Sequence, residues 1–252
     1  ANVIGSNIFN VLFILGVCAL IMPLKVSSQL IRLDVPLMIV ASIAVWILSL
    51  NGSIGPVEGV GLMLALVAYT IFIVRKSRKE TAKVKAEFQS EFGPKGESQG
   101  PSLPLAALFV VAGLAALVFG ADSLVDGATV LARGLGVSDT LIGLTIVAAG
   151  TSLPEVATSV VATIKGERDI AIGNVIGSNI FNALLILGAA PLVTKGGLAV
   201  NDQLLGFDLP VMTLVAVLCL PILWTGFRVG RREGLFFLVG YVAYTGWLIA
   251  TA

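Results

Sequence analysis

Eight stretches of this chain are apolar enough and long enough to cross a bilayer, at approximately residues 3–22, 34–50, 56–74, 103–120, 137–164, 169–193, 207–226 and 234–251. A spanning helix needs about 20 such residues and a spanning strand only about half that. Hydrocarbon offers no partner to a backbone N–H or C=O, so runs of this length fold as helices that satisfy their own hydrogen bonds. Only 12% of the residues are charged, against about a quarter in soluble domains, and the mean hydropathy is +1.00. The chain therefore lacks the polar residues to cover a soluble surface. The expected fold is an all-α polytopic membrane protein, with the fourth segment able to run on past Gly120 toward Arg133.

The polar breaks are short except for residues 75–102, which are charged and then rich in Gly, Ser and Pro and read as a linker between two halves. The organisation expected is three spans over 1–75, a linker over 76–102 and five spans over 103–252. Basic residues mark orientation. Fourteen of the sixteen, among them Lys25, Arg75, Lys165 and Arg228, fall on one side if every segment spans, and only Arg133 and Lys195 fall on the other. The basic side, linker included, is then cytoplasmic and the C-terminus faces out, as in a protein of the cell (inner) membrane. A net charge of +1 suggests no nucleic acid partner, and the absence of histidine removes His-liganded metals and Ser–His–Asp chemistry. Neither an enzyme nor a resident cofactor is expected. Cys18 and Cys219 sit within apolar runs and read as packing residues.

The opening of the chain returns later. Residues 2–10 and 174–182 both read NVIGSNIFN. The match continues through Ile14-Leu15-Gly16 and Ile186-Leu187-Gly188, Asp34-Val35-Pro36 and Asp208-Leu209-Pro210, Glu58 and Glu233, and Ala68-Tyr69-Thr70 and Ala243-Tyr244-Thr245. The first three spans thus match the last three. The fourth and fifth have no mates, which would lie roughly 70 residues upstream, enough for two spans. The complete unit expected is five plus five helices, and an odd number per half inverts the repeats in the membrane.

Chemistry concentrates at Gly150-Thr151-Ser152-Leu153-Pro154-Glu155. Pro154 donates no backbone hydrogen bond and Gly150 adds freedom, so a break in mid-membrane is expected. Glu155 reads as the only acidic residue in the middle of an apolar span, with no Lys or Arg at its depth. Its partner is a cation or a proton, or it is permanently protonated and hydrogen-bonded. Thr151, Glu155 and Ser159 share a helical face, as do Asn174, Ser178 and Asn182, and Asn2, Ser6 and Asn10. Three such oxygen-bearing stripes suit a hard cation such as calcium. They equally suit polar glue between helices, with Gly173 and Gly177 permitting close approach. Asn7, Asn179, Asn10 and Asn182 fit the glue reading, whereas Asn2 and Asn174, nearer the expected break, are better ligand candidates. Asp122 and Asp126, late in the fourth segment, read as a solvated helix end.

The Gly150–Glu155 motif followed by Gly173-Asn174-Val175-Ile176-Gly177-Ser178-Asn179 resembles the second alpha repeat of the cation/calcium exchanger superfamily, and Asn2–Asn10 resembles the latter part of the first. The bacterial and archaeal calcium/sodium antiporters are the most similar branch. The resemblance implies a ten-helix inverted-repeat exchanger with alternating access. It implies that Glu155 binds calcium, that Thr151 and Ser152 supply hydroxyl and carbonyl oxygens, and that Asn174 and Asn2 line the central site. Ser178 and Ser6 follow on the same stripes. Some members carry Asp at one of the two asparagine positions, where this chain has Asn at both. The counter-ion implied is sodium, with protons as the alternative. A passive cation channel is the rival of another class.

Overall fold

The apolar runs wind into helices. The computed structural model describes residues 1–92, 102–137, 142 and 146–251, with backbone alone at 79–92 and 148. The helices are α1 (Asn2–Ile21), α2 (Leu30–Leu48), α3 (Pro56–Phe92), α4 (Leu103–Gly134), α5 (Leu153–Ile164), α6 (Arg168–Val193), α7 (Leu204–Phe227) and α8 (Arg231–Thr251). Among the described residues seven of them, all but α5, are long and apolar enough to cross a membrane. The remaining expected span, 137–164, is interrupted: a short turn at Ala148–Gly150 precedes α5, and residues 138–141 and 143–145 lie outside the described ones.

Two boundaries differ from expectation. Helix α3 continues to Phe92, through the charged part of the expected linker. Its Lys, Glu and Ala residues are good helix formers, and charge ends a membrane span without ending a helix. Residues 93–101 lie outside the described part. The second span begins at Leu30, not Asp34, which moves that aspartate one turn inside the helix.

Strand pairing reveals the inversion of the repeats. Short strands lie in the loops after α1 (β1, Leu24–Lys25), after α2 (β2, Ser53–Ile54), after α6 (β3, Leu198–Ala199) and after α7 (β4, Arg228–Val229). Strand β1 pairs antiparallel with β4, and β2 with β3. In the duplication, however, β1 corresponds to β3. Since β1 and β2 are separated by one span, β3 lies at the end of the molecule opposite its own counterpart. Equivalent elements at opposite ends define an inverted repeat. Arg168 reaches Met22 Sδ at 3.4 Å and Arg231 reaches Leu20 O at 3.2 Å, so the basic turns before α6 and before α8 gather at the β1–β4 end.

The last helix of each half packs on the other half, α8 against α1 and α3 against α6. Glycines set both crossings. A Cβ on Gly59 would stand 2.5 Å from Gly188 O, and one on Gly234 would stand 2.8 Å from Gly16 O. Buried Ile8, Ile14, Ile172, Ile176, Ile180 and Leu209 form the centre, so α1, α6 and α7 make the core while α4 is mostly exposed and buries only Ala132.

Each half also buries an aspartate. Pro36 and Pro210 lack the N–H that would close the normal helical bond, and the preceding turn widens in both places: Val35 N–H reaches Leu30 O, and Leu209 N–H reaches Leu204 O. Asp34 and Asp208 end those π turns, buried, and accept hydrogen bonds from Tyr69 and Tyr244 at 2.9 Å each. Glu155 is therefore not the only carboxylate within a span. Two others look peripheral in sequence because they stand at the edges of apolar runs. Tyr69→Phe and Tyr244→Phe should each cost about 1–3 kcal/mol, the effect of stranding a buried acceptor. The pseudo-symmetry predicts similar losses, readable from denaturation midpoints in detergent.

Candidate cation site

The fifth span is broken where the sequence places Pro154. Thr151 and Ser152 form a turn, and α5 starts at Leu153 with the proline in its first turn. Gly150 serves here for space: a Cβ on it would overlap the Val125 side chain of α4. Glu155 falls in the first turn of α5, where the helix N-terminus favours negative charge. Its Oε2 is buried with no hydrogen-bond partner among the described residues.

Neutral oxygens gather around this break from three helices. Ser152, fully buried, shares a 2.6 Å hydrogen bond with Ser6 of α1. Thr151 Oγ1 donates to Asn2 Oδ1 at 3.3 Å, at the exposed margin of the site. Asn174 of α6 donates through Nδ2 to the buried Ser159 Oγ at 2.9 Å and to the Glu155 carbonyl at 3.3 Å. Hydrogen bonds thus link Glu155, Asn174, Asn2, Thr151, Ser152 and Ser6 to one junction, with the amide nitrogen of Asn174 already committed. Ser178 stands one turn further along α6, half-buried and outside these bonds. Asp122 and Asp126 are exposed on α4 and take no part.

The twin nine-residue stretches cross each other beside this junction. Asn7 Nδ2 donates to Asn179 O at 3.5 Å, and Asn179 Nδ2 donates to Asn7 O at 3.1 Å. Asn10 Nδ2 donates to Asn179 Oδ1 and Asn182 Nδ2 to Asn7 Oδ1, each at 2.9 Å. The four asparagines do act as glue between the halves, as their spacing suggests. One property escapes that reading: Asn10 is fully buried, yet its Oδ1 has no partner among the described residues. It opens a π turn, Asn10–Leu15, that packs against both α5 and α6. Among the described residues the buried side-chain atoms left without a partner are Asn10 Oδ1, Glu155 Oε2, Thr213 Oγ1 and Arg168 Nε. Buried polar atoms are almost always paired, so Asn10 Oδ1 and Glu155 Oε2, carried on elements that touch, stand open to a ligand.

No group of three or more Cys, Asp or Glu side chains that could hold a metal occurs among the described residues. One carboxylate, hydroxyls and carboxamide oxygens remain, a donor set that suits a hard cation better than a transition metal.

Comparison with known proteins agrees with this architecture. The chain is 34% identical over 250 residues to the inner membrane protein YrbG of Escherichia coli, covering 97% of this chain and 75% of that protein. It is 32% identical to the sodium/calcium exchanger MaX1 of Methanosarcina acetivorans, over 96% of this chain and 77% of that one. The solved structure of the sodium-calcium exchanger NCX_Mj superposes with a TM-score of 0.77 at 27% identity, covering 98% of this chain and 75% of that one. Residues 1–75 and 105–250 match the family described as sodium/calcium exchanger protein. With the inverted repeat and the broken fifth span in place, the chain belongs to the sodium/calcium exchanger family.

Proposed function

We propose that the protein is a secondary antiporter that moves calcium across the membrane in exchange for sodium, with Glu155 as its charged ligand. The observation that carries this reading is the buried, unpartnered Oε2 of Glu155, set among neutral oxygens with no basic side chain paired to it among the described residues. A carboxylate at such depth is costly without a counter-charge, and a bound cation supplies one. Ser152, Ser6, Thr151, Asn2 and the free Asn10 Oδ1 are the neutral oxygens that would replace part of the ion's hydration shell. Asn174 holds α5 and α6 in register through Ser159, and Ser178 lies on the same face. Family membership, and the sodium/calcium exchangers among the relatives, support the pair of ions.

Coupling follows from the energetics of the cavity. A site that carries negative charge and no ion is expensive to close off from water, because the charge loses solvation with nothing in return. A bound calcium or sodium ion supplies the counter-charge that offsets this cost. Only the loaded forms then switch readily between the two faces of the membrane, and one ion's passage requires the other's return. The gathering of basic turns at the β1–β4 end supports a cytoplasmic location for that end.

The test is calcium uptake into vesicles bearing the full-length protein. An outward sodium gradient is expected to drive uptake that collapses when the gradient is dissipated. Uptake driven by a pH gradient alone would replace sodium by protons. Uptake that needs neither gradient would assign a passive channel, and the antiporter reading would be lost.

A further inference from the structure

We infer that Asn7 and Asn179 are positioning residues that fix which end of the Asn10 and Asn182 carboxamides is offered to the cation; this rests on the calcium reading above. A carboxamide is nearly symmetric in shape but opposite in charge at its two ends, an acceptor oxygen and a donor NH2. At a cation site the oxygen is a ligand, while the amino group repels. An asparagine there works only if something decides its orientation.

The crossing of the two nine-residue stretches makes that decision in three steps. A main-chain carbonyl can only accept, so Asn179 Nδ2 must face Asn7 O at 3.1 Å, and Asn7 Nδ2 must face Asn179 O at 3.5 Å. The methionine sulfurs beside them, Met38 Sδ at 3.7 Å from Asn179 Nδ2 and Met212 Sδ at 3.5 Å from Asn7 Nδ2, are also weak acceptors and agree with this choice. Both amino groups being so placed, the oxygens Asn179 Oδ1 and Asn7 Oδ1 turn toward Asn10 and Asn182. An oxygen cannot donate, so Asn10 and Asn182 must present Nδ2, as they do at 2.9 Å. Their own Oδ1 atoms are then forced away from the quartet. In Asn10 that oxygen is buried and has no partner among the described residues. Flipping any single carboxamide would set amino group against amino group or oxygen against oxygen. Simple adhesion between helices requires no such one-way chain, and it does not require an orphaned oxygen at the end of it.

A double-substitution cycle on calcium uptake separates orientation from packing. Asn179→Ala removes the acceptor that holds Asn10 Nδ2. It should raise the calcium concentration for half-maximal uptake about tenfold, within the range for coupled neighbouring residues. In an Asn10→Asp background the two carboxylate oxygens are equivalent and need no orienting, and one of them faces the oxygen Asn179 Oδ1, so the same substitution should leave half-saturation unchanged or lower it. Asn7→Ala, with and without Asn182→Asp, tests the other arm independently. Equal losses in both backgrounds would overturn the inference. So would failure of Asn179→Ala and Asn7→Ala to yield folded protein in either background, which would make the quartet purely structural. Lack of calcium uptake by the unsubstituted protein is a different failure, since it removes the calcium reading on which the inference stands.

Discussion

Glu155→Gln is expected to lower calcium transport by more than about 100-fold, because removing one member of a buried charge pair costs about 3 kcal/mol or more. The substitution keeps the size and polarity of the side chain and removes only the charge. Its second effect separates a ligand from a structural residue. Without calcium, Glu155 is a buried carboxylate with an unpartnered oxygen, so the neutral glutamine should leave the unloaded protein as stable as before or more so. With calcium at a hundred times its dissociation constant, the native protein should gain about 2.7 kcal/mol of stability, and the Gln variant should gain almost none. Thermal melts with and without calcium, beside vesicle uptake, read both. Glu155→Asp, which keeps the charge but shortens the reach, should fall between. A carboxylate that mattered only for packing would give the reverse pattern: lost stability, with calcium dependence retained.

The second large effect is expected far from the ions. Gly59→Ala should destabilise the fold by about 1–3 kcal/mol or more, as overpacking against a fixed neighbour does. The added methyl would meet Gly188 O at 2.5 Å, and a backbone oxygen has no rotamer to adopt in response. Gly234→Ala repeats the experiment across the pseudo-symmetry axis, where Gly16 O lies at 2.8 Å. Gly61→Ala is the internal control. It lies one half-turn along the same helix with nothing within 4 Å of its added Cβ, and should be neutral or slightly stabilising, since alanine is the better helix former. These crossings join the last helix of each half to the other half. Losing either should therefore loosen the packing between the halves, with lower yields of monodisperse protein in detergent as the readout.

Most of the architecture was legible because the bilayer simplifies the code. A run of apolar residues of the right length has one fold available, and the repeat of NVIGSNIFN forces the halves to correspond. The break before Glu155 was legible because Pro154 enforces it chemically. Periodicity put Thr151 on one face with Glu155 and Ser159, Asn2 with Ser6 and Asn174 with Ser178, since residues four apart share a face, whereas Ser152 entered only through the family resemblance. What the sequence concealed depends on departures from regular helix or on direction within a side chain. Asp34 and Asp208 looked like helix ends because the π turns that draw them inward leave no compositional mark. Asn10 looked like glue because spacing cannot tell which end of a carboxamide is already used. Helix α3 outruns its apolar stretch because hydropathy reports the membrane boundary, not the end of hydrogen bonding.

The most direct measurement is the position of calcium itself, located by its anomalous scattering in crystals of the full-length protein. The account predicts an ion about 2.3–2.6 Å from a Glu155 carboxylate oxygen, the range for calcium–oxygen bonds, with hydroxyl and carboxamide oxygens from α1, α6 and the turn before α5 completing the shell. A Glu155 side chain directed into lipid or joined to an arginine, with calcium bound elsewhere, would contradict it.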